Sequence, residues 1–210
     1  MVFRRGGGGG NDLDALARDT FPAAEFPASL TLEGPWQVEF PEGWGAPRMT
    51  NFSKLQSWTE SNHEGIRSFS GIATYRKSFD LPSSLASRDR LFLQLGDLAE
   101  IAEVTLNGKR LRLAWLPPYR IEISGAARAG ANQLEIRVAN LWANRLNADS
   151  LLHESSRFTR SNLDRIQTDP TSDSSYGRVP SGKTRPVYDK IPPLMKSGLF
   201  GPVRLITPRD

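Results

Sequence analysis

The stretch EVTLNGKRLRLAWLPPYRIEI, residues 103–123, decides the fold class. Apolar and polar residues alternate on both sides of Asn107-Gly108, and both residues of that pair tolerate the positive φ of a type I′ turn. Such alternation has the period of a half-buried β-strand. The stretch therefore predicts a β-hairpin, followed by a further strand that begins at Tyr119.

The same period continues outward from this hairpin in both directions. The strand candidates are WQVEF (36–40), GIATYRKSFDL (71–81), RLFLQLG (90–96), AEVTL (102–106), KRLRLAW (109–115), YRIEIS (119–124), NQLEIRVAN (132–140) and PVRLIT (202–207). About eight half-buried strands with short links predict an all-β fold in which antiparallel sheets pack face to face. Lys77 falls on an apolar face, which predicts either a bulge or a stem that crosses apolar surface to reach water.

The chain of 210 residues divides into a start segment and one domain. Residues 1–28 are predicted to form a flexible glycine-rich start with a possible short helix at DLDALARD, and residues 29–210 to form the β-sandwich. Residues 148–192 are polar and do not alternate. A connection of that length is either functional or disordered, so the segment is interpreted as a long loop excursion from the sandwich.

Charge and composition exclude several classes of partner. The net charge is +4 and the chain has no cysteine, so disulfides and thiolate metal sites are impossible. Basic residues are interspersed with acidic ones, which argues against a nucleic-acid partner. No apolar run reaches the roughly 20 residues of a membrane span, and the start lacks the apolar core of a signal peptide. We expect no membrane partner, while the compartment stays open and full-length relatives could be exported.

The motifs of catalysis are weak. Gly177 and Gly182-Lys183-Thr184 match a phosphate loop, but polar residues precede the match and Pro186 follows it, where a buried strand and a helix are needed. There are two histidines and no Gly-x-Ser-x-Gly elbow. Paired carboxylates for glycoside hydrolysis cannot be identified from spacing, and surface roles are favoured for them. We expect no metal, no cofactor and no independent catalysis.

Aromatic and polar side chains near the strand ends are more informative. An aromatic plane with amide, guanidinium and carboxylate groups complements the apolar face and the hydroxyl rim of a sugar. The predicted carbohydrate-binding residues are Trp115, Tyr119, Trp142, Asn144, Arg145 and Asp149. The alternative is that the tryptophans seal the ends of the sandwich and Arg145 pairs with Asp149. Pro117-Pro118 stiffens the connection that holds Trp115 and Tyr119 toward a sugar or toward a neighbouring domain.

Several stretches in this order resemble a known family. They are LEGPWQVEFPEGWGAP, LQSWTE, FSGIATYRKSFDLP, LQLGDLAEIAEVTLNGKRL, AWLPPYRIEIS, GANQLEIRVANLWANR and SGLFGPVRL. The set spans roughly residues 30–207 and resembles the C-terminal β-sandwich of glycoside hydrolase family 106, the α-L-rhamnosidase-like enzymes. It is also similar to the sugar-binding jelly roll of family 2 glycosidases. The resemblance implies a galactose-binding-like jelly roll.

The resemblance also implies a function. Enzymes of this kind carry their chemistry in a separate barrel of about 250 residues, for which this chain has no room. We therefore expect a non-catalytic carbohydrate-binding or accessory module, a C-terminal fragment without the catalytic barrel. Its implied partners are a carbohydrate, which could contain rhamnose, and the barrel of a parent enzyme. The alternative is a purely structural or docking sandwich without a ligand.

Overall fold

The computed structural model describes residues 28–152, 154–159 and 193–208. Twelve strands lie in these ranges, and every pair is antiparallel. The strands are β1 (Ala28–Thr31), β2 (Trp36–Glu39), β3 (Met49–Phe52), β4 (Ile72–Leu81), β5 (Phe92–Gln94), β6 (Asp97–Ala99), β7 (Ile101–Leu106), β8 (Lys109–Ala114), β9 (Arg120–Glu122), β10 (Gly130–Ala139), β11 (Gly198–Gly201) and β12 (Arg204–Ile206). The predicted helix before residue 28 lies outside the described residues.

Two sheets face each other, as an antiparallel β-sandwich requires. The larger has six strands in the order β3-β2-β4-β10-β7-β8, and the other has four in the order β1-β12-β5-β9. A small third sheet pairs β6 with β11. Buried residues of both large sheets, such as Tyr75, Ile136 and Leu205, belong to one continuous hydrophobic core. The all-β prediction is confirmed.

The predicted hairpin is present between β7 and β8. Asn107 and Gly108 have φ angles of 52° and 79°, the left-handed values that a type I′ turn needs. The Asn107 side chain also donates hydrogen bonds to the Ala126 carbonyl and to Asn132 Oδ1, both at 2.8 Å. This turn is therefore fixed by its own sequence and by a neighbouring loop.

Strands β4 and β10 form the central ladder of the larger sheet. Their register runs without interruption from Gly130 opposite Leu81 to Ala139 opposite Ile72. No bulge accommodates Lys77. Its ammonium group instead lies 5.5 Å from the Trp36 ring centre and donates to the Pro35 carbonyl at 3.2 Å. The second of the two predicted arrangements, a stem that crosses apolar surface, is the observed one.

Strand β8 does not place Leu111, Leu113 and Trp115 on one face, as strict alternation along KRLRLAW (109–115) would. The register with β7 shifts between Glu103 and Thr105, and such a shift changes which side chains face the core. Leu111 packs against the core, whereas Leu113 and Trp115 are 51% and 61% exposed. Ala114, which lies between these two exposed residues, is buried.

The strand registers bring the ends of several strands to one end of the sandwich. Glu39 of β2 pairs with Thr74, two residues from the start of β4, and Ile72 pairs with the last residue of β10, Ala139. Ala139 pairs with Ile101, the first residue of β7, and β8 ends beside it. We call this the open end; Trp44, Trp115 and Trp142 follow the strands that finish there.

Helices are few and short in the described part of the chain. They are α1 (Glu64–Arg67), α2 (Ser83–Ala86) and α3 (Ala143–Ser150), with 3₁₀ turns at Trp58–Glu60 and Glu154–Ser156. Helix α3 contains the first residues of the predicted polar loop 148–192; most of that loop lies outside the described residues. Among the helices described, none is long and apolar enough to cross a membrane.

Candidate functional site

Helix α3 places four of the six predicted sugar-binding residues together. Trp142 precedes the first turn and is 46% exposed. Unusually, the buried residues of α3 are polar ones: Asn144, Arg145, Asn147 and Asp149 are each no more than 3% exposed. Hydrophobic periodicity could not have found this helix, because its inward face is polar.

Two of the buried side chains of α3, Arg145 and Asp149, form an ion pair. Arg145 Nη2 lies 2.7 Å from Asp149 Oδ1, and both side chains are almost fully buried. Arg145 Nη1 also donates to Ser68 Oγ at 3.1 Å. The other carboxylate oxygen of Asp149 accepts from Thr159, through its amide at 2.7 Å and its hydroxyl at 2.5 Å. A buried charge pair of this kind holds its partners in place, because separating them would leave a charge in the interior.

Asn144 joins α3 to the segment that precedes β11. Its amide nitrogen donates to the Met195 carbonyl at 2.7 Å, and its amide oxygen accepts from the Met195 N–H at 2.8 Å. These paired bonds satisfy most of the side chain's capacity. Asn144, Arg145 and Asp149 are thus engaged inside the protein, as the alternative interpretation of Arg145 and Asp149 expects, and their contact with a sugar stays a prediction.

An exposed aromatic cluster covers this polar network. Trp142 packs edge-to-face on Trp44, with ring centres 5.3 Å apart and planes at 64°. Phe158 lies over the Arg145 guanidinium, whose carbon is 4.5 Å from the ring centre. Sequence reasoning missed Trp44 and Phe158. The signal for Trp44 was present, because the loop PEGWGAP places an aromatic between turn residues directly after β2.

A shallow depression with a volume of about 10 Å³ lies beside the start of α3. It is lined by Glu100, Asn140, Leu141, Ala143, Asn144, Met195, Lys196 and Ser197. Apolar side chains alternate there with a carboxylate, an ammonium group and two amides. The mixture can contact both the C–H surface and the hydroxyl groups of a small polar ligand.

Trp115 and Tyr119 lie at the same open end but in a separate corner. The corner joins β8 of the larger sheet to β9 of the smaller one. The Tyr119 N–H donates to the Leu116 carbonyl at 3.0 Å, its carbonyl accepts from Leu95, and its ring is partly buried against the core. Trp115 is 61% exposed. The Pro-Pro pair therefore ends one sheet and lets Tyr119 anchor the start of the next.

Trp58 is a core residue, not a surface platform. Its indole is fully buried, packs edge-to-face on Phe40 and Phe69, and donates to the Tyr75 hydroxyl at 2.5 Å. That hydroxyl also accepts from the Leu199 N–H at 3.2 Å. Burial raises the pKa of Tyr75 well above its ordinary value. The tryptophans thus divide into interior and surface groups, and sequence position alone does not separate them.

The other candidate chemistries gain no support. His63 caps α1, with Nδ1 accepting from the Gly65 N–H at 3.1 Å. Glu103 forms ion pairs with Arg110 and Arg137. Within residues 28–152, 154–159 and 193–208, no three histidine or carboxylate side chains gather as a metal would need. His153 and the phosphate-loop match lie outside the described residues.

Comparisons with known proteins match most of the chain. A family model described as "Glycosyl hydrolase 2 galactose-binding domain-like" matches residues 57–199. A protein of Formosa agariphila named "Putative beta-glucuronidase" is 38% identical over 184 residues, which are 85% of this chain and 16% of that protein. The solved structure of a rhamnosidase from Novosphingobium sp. PP1Y is 36% identical with a TM-score of 0.70, covering 89% of this chain and 16% of that one. The chain therefore spans about a sixth of the length of each relative.

Proposed function

Because the chain belongs to the glycosyl hydrolase 2 galactose-binding domain-like family, we propose that it is a non-catalytic, carbohydrate-binding accessory module of a glycoside hydrolase. One observation carries the accessory role. The relatives match this chain over 85% and 89% of its length but are themselves covered over only 16%. Their remaining length leaves ample room for a catalytic barrel, which needs about 250 residues.

We place the sugar contact at Trp142 and the adjoining depression. The exposed face of Trp142 offers the flat apolar surface on which a pyranose ring can stack, and Trp44 fixes its orientation. Glu100 and Lys196 in the depression supply charged hydrogen-bonding groups beside it, whereas the Asn140 amide already bonds to Gly71 and Phe69. Asn144, Arg145 and Asp149 do not contact the sugar in this arrangement. Their buried bonds fix the position of α3, which Trp142 directly precedes. The depression itself has a volume of only about 10 Å³, so a sugar ring would lie against the Trp142 face and over the depression, and would bind weakly.

The test is an NMR titration of the labelled chain with L-rhamnose, D-galactose and D-glucuronate. We expect shifts that cluster on Trp142 and the depression. Replacing Trp142→Ala should weaken binding about 2- to 13-fold, because stacking on an aromatic contributes roughly 0.5–1.5 kcal/mol. Trp115→Ala is the matched control, a tryptophan of greater exposure in the other corner, and should leave the affinity unchanged. Absence of shifts with all three sugars would disprove the carbohydrate half of the proposal.

A second candidate function is a structural module without a ligand. It is favoured by a specific observation: the three most polar residues of the predicted site are buried and already bonded within the protein. This candidate predicts an unchanged spectrum at every sugar concentration. It agrees with the first candidate in expecting no turnover of aryl glycosides by the isolated chain, so only the titration separates the two.

A further inference from the structure

Exposed apolar side chains form a continuous strip across the open end of the larger sheet. Ile72 of β4 pairs with Ala139 of β10, and Ala139 pairs with Ile101 of β7. Neighbouring strands lie about 4.8 Å apart, so these three residues are side by side. Ile72 and Ile101 are 43% and 40% exposed on the outer face, although strand residues of this kind are usually turned inward.

Strand β8 extends the strip by two larger side chains. Ala102 pairs with Ala114, both buried, and Glu103 pairs with Leu113. Since side chains alternate between faces, Leu113 lies on the outer face, and Trp115, which follows β8 directly after the buried Ala114, is 61% exposed. Leu141, which is 51% exposed and also lines the depression beside α3, follows two residues beyond Ala139 at the boundary of the two surfaces. We call Ile72, Ile101, Leu113, Trp115 and Leu141 the apolar strip.

The chemistry of the strip suits a protein better than a sugar. Its side chains offer one polar atom among them, the indole nitrogen of Trp115. Glu103, the strand partner of Leu113, is charged, but its carboxylate is neutralised by Arg110 at 2.9 Å and Arg137 at 3.5 Å. A sugar would leave most of its hydroxyl groups without partners here. An apolar centre with a balanced charged rim is instead the usual anatomy of a protein interface.

The size of the strip selects the kind of protein partner. Its five side chains are between 40% and 61% exposed, which amounts to about 400–500 Å² for side chains of this size. A stable complex between free proteins buries about 800 Å² on each partner. Contacts between domains of one polypeptide succeed with roughly half that area, because the covalent link supplies a high effective concentration. The area therefore favours a tethered domain over a second copy of this chain.

We propose that the apolar strip is the docking surface for the catalytic domain of a glycoside hydrolase, the part of the relatives that this chain does not match. The inference rests on the proposed membership of such an enzyme but not on sugar binding. It assigns Trp115 to the domain contact and leaves Trp142 free to face a ligand. A catalytic domain seated on the strip would bring the depression beside α3 close to the domain boundary.

The experiment replaces the matching segment of the Novosphingobium rhamnosidase by this chain and compares substitutions in two contexts. Leu113→Gln and Trp115→Gln are introduced separately into the chimera and into the isolated chain. We expect both to lower the unfolding temperature of the chimera and to expose the domain junction to protease, while the isolated chain keeps its unfolding temperature. Leu151→Gln, at a leucine that is 60% exposed directly after α3, is the matched control and should change neither protein.

Three results would overturn the proposal. The chimera could fail to unfold as one unit before any substitution, the strip variants could behave like Leu151→Gln, or the isolated chain could form a dimer that Leu113→Gln abolishes. The sugar titration distinguishes failure of the docking proposal from failure of the proposed carbohydrate binding, because it does not depend on the apolar strip. If docking is right, Leu113→Gln leaves the Trp142 shifts intact.

Discussion

At the scale of single residues, Gly198 shows why the motif SGLFGPV is built as it is. The backbone of Gly198 adopts a φ of 96°, and an ideal Cβ at this position would lie 2.5 Å from Trp58 Nε1. The indole of Trp58 cannot move away from an added methyl group, because it is enclosed by Phe40 and Phe69 and hydrogen-bonded to Tyr75. Only glycine lets the start of β11 lie flat against the buried tryptophan.

Replacing Gly198→Ala should therefore lower the free energy of unfolding by about 3 kcal/mol or more, since it combines overpacking with an unfavourable φ. Gly108→Ala is the matched control. Gly108 has a φ of 79° but no atom within 4 Å of an added Cβ, so only the conformational cost of about 1–2 kcal/mol applies. Urea unfolding of the two variants measures the difference. Equal losses would show that the contact with Trp58 is relaxed at little cost.

Residue identities that could be predicted from the sequence are those set by local chemistry. Asn107-Gly108 was predicted as a turn because its φ preferences depend on the two residues alone. The inward orientation of Asn144 and Arg145 could not be predicted, because their partners Met195 and Ser68 are 51 and 77 residues away. Long-range polar contacts of this kind leave no periodic signal in the chain.

At the scale of elements, an ion-pair ladder crosses the outer face of the larger sheet. Arg76 of β4 bonds to Glu39 of β2 at 2.5 Å and to Glu135 of β10 at 3.0 Å. It links three adjacent strands of the sheet through side chains as well as through the backbone. The hydrogen bond from Arg76 is the main reason that the pKa of Glu39 lies below its ordinary value.

This shift predicts a specific loss of stability in acid. A carboxyl group whose pKa is lowered by folding stabilises the native state above the unfolded pKa of about 4.5, and that contribution disappears as the pH falls through the folded value. Glu39→Gln should therefore lose less free energy of unfolding between pH 7 and pH 3 than the unchanged protein does. Glu42→Gln, at an exposed glutamate that pairs with Arg48, should follow the unchanged protein. Parallel curves for all three proteins would contradict the assignment.

Strands with visible alternation were predictable as elements, including the short β5, β9 and β12, whereas β1, β3, β6 and β11 were not. Strands β4 and β10 span ten residues each, so alternation is visible along their length. The three residues of β6 and the glycine-flanked β11 are too short to show a period, and they form through pairing with each other. Helix α3 was missed for the opposite reason, since its buried face is polar.

At the scale of the whole molecule, Tyr75 ties separate sheets together. Its hydroxyl, on the larger sheet, accepts from Trp58 and from the Leu199 N–H on the small β6-β11 sheet. The side chain is fully buried, so water cannot replace either bond. Strand β11 is thereby joined to a layer with which it shares no backbone ladder.

Replacing Tyr75→Phe should destabilise the protein by about 2–4 kcal/mol, because two buried donors lose their acceptor and each costs roughly 1–3 kcal/mol. Tyr119→Phe is the control, since the Tyr119 hydroxyl makes no hydrogen bond to the part of the chain that the structure describes. Hydrogen exchange of the Leu199 amide should accelerate in the first variant only. An unchanged rate would show that β11 does not depend on this bond.

The overall sandwich could be predicted from the alternating segments and their turn signals, and the family from the resemblance of the ordered stretches to known glycoside hydrolases. The outward face of β8 could not. One irregular step in its pairing with β7 reverses which leucine is buried, and no residue type in KRLRLA signals that step. The apolar strip was therefore visible only in the folded molecule.

The pairing of Ala28 with Ile206 has a consequence for how such a domain is carried. The first and last strands lie next to each other, so incoming and outgoing polypeptide leave from neighbouring points on one edge. A host protein can then accept the whole unit with little rearrangement of its own backbone, because the two points of attachment are close together. A unit of this kind can be grafted at a surface loop whose ends are equally close.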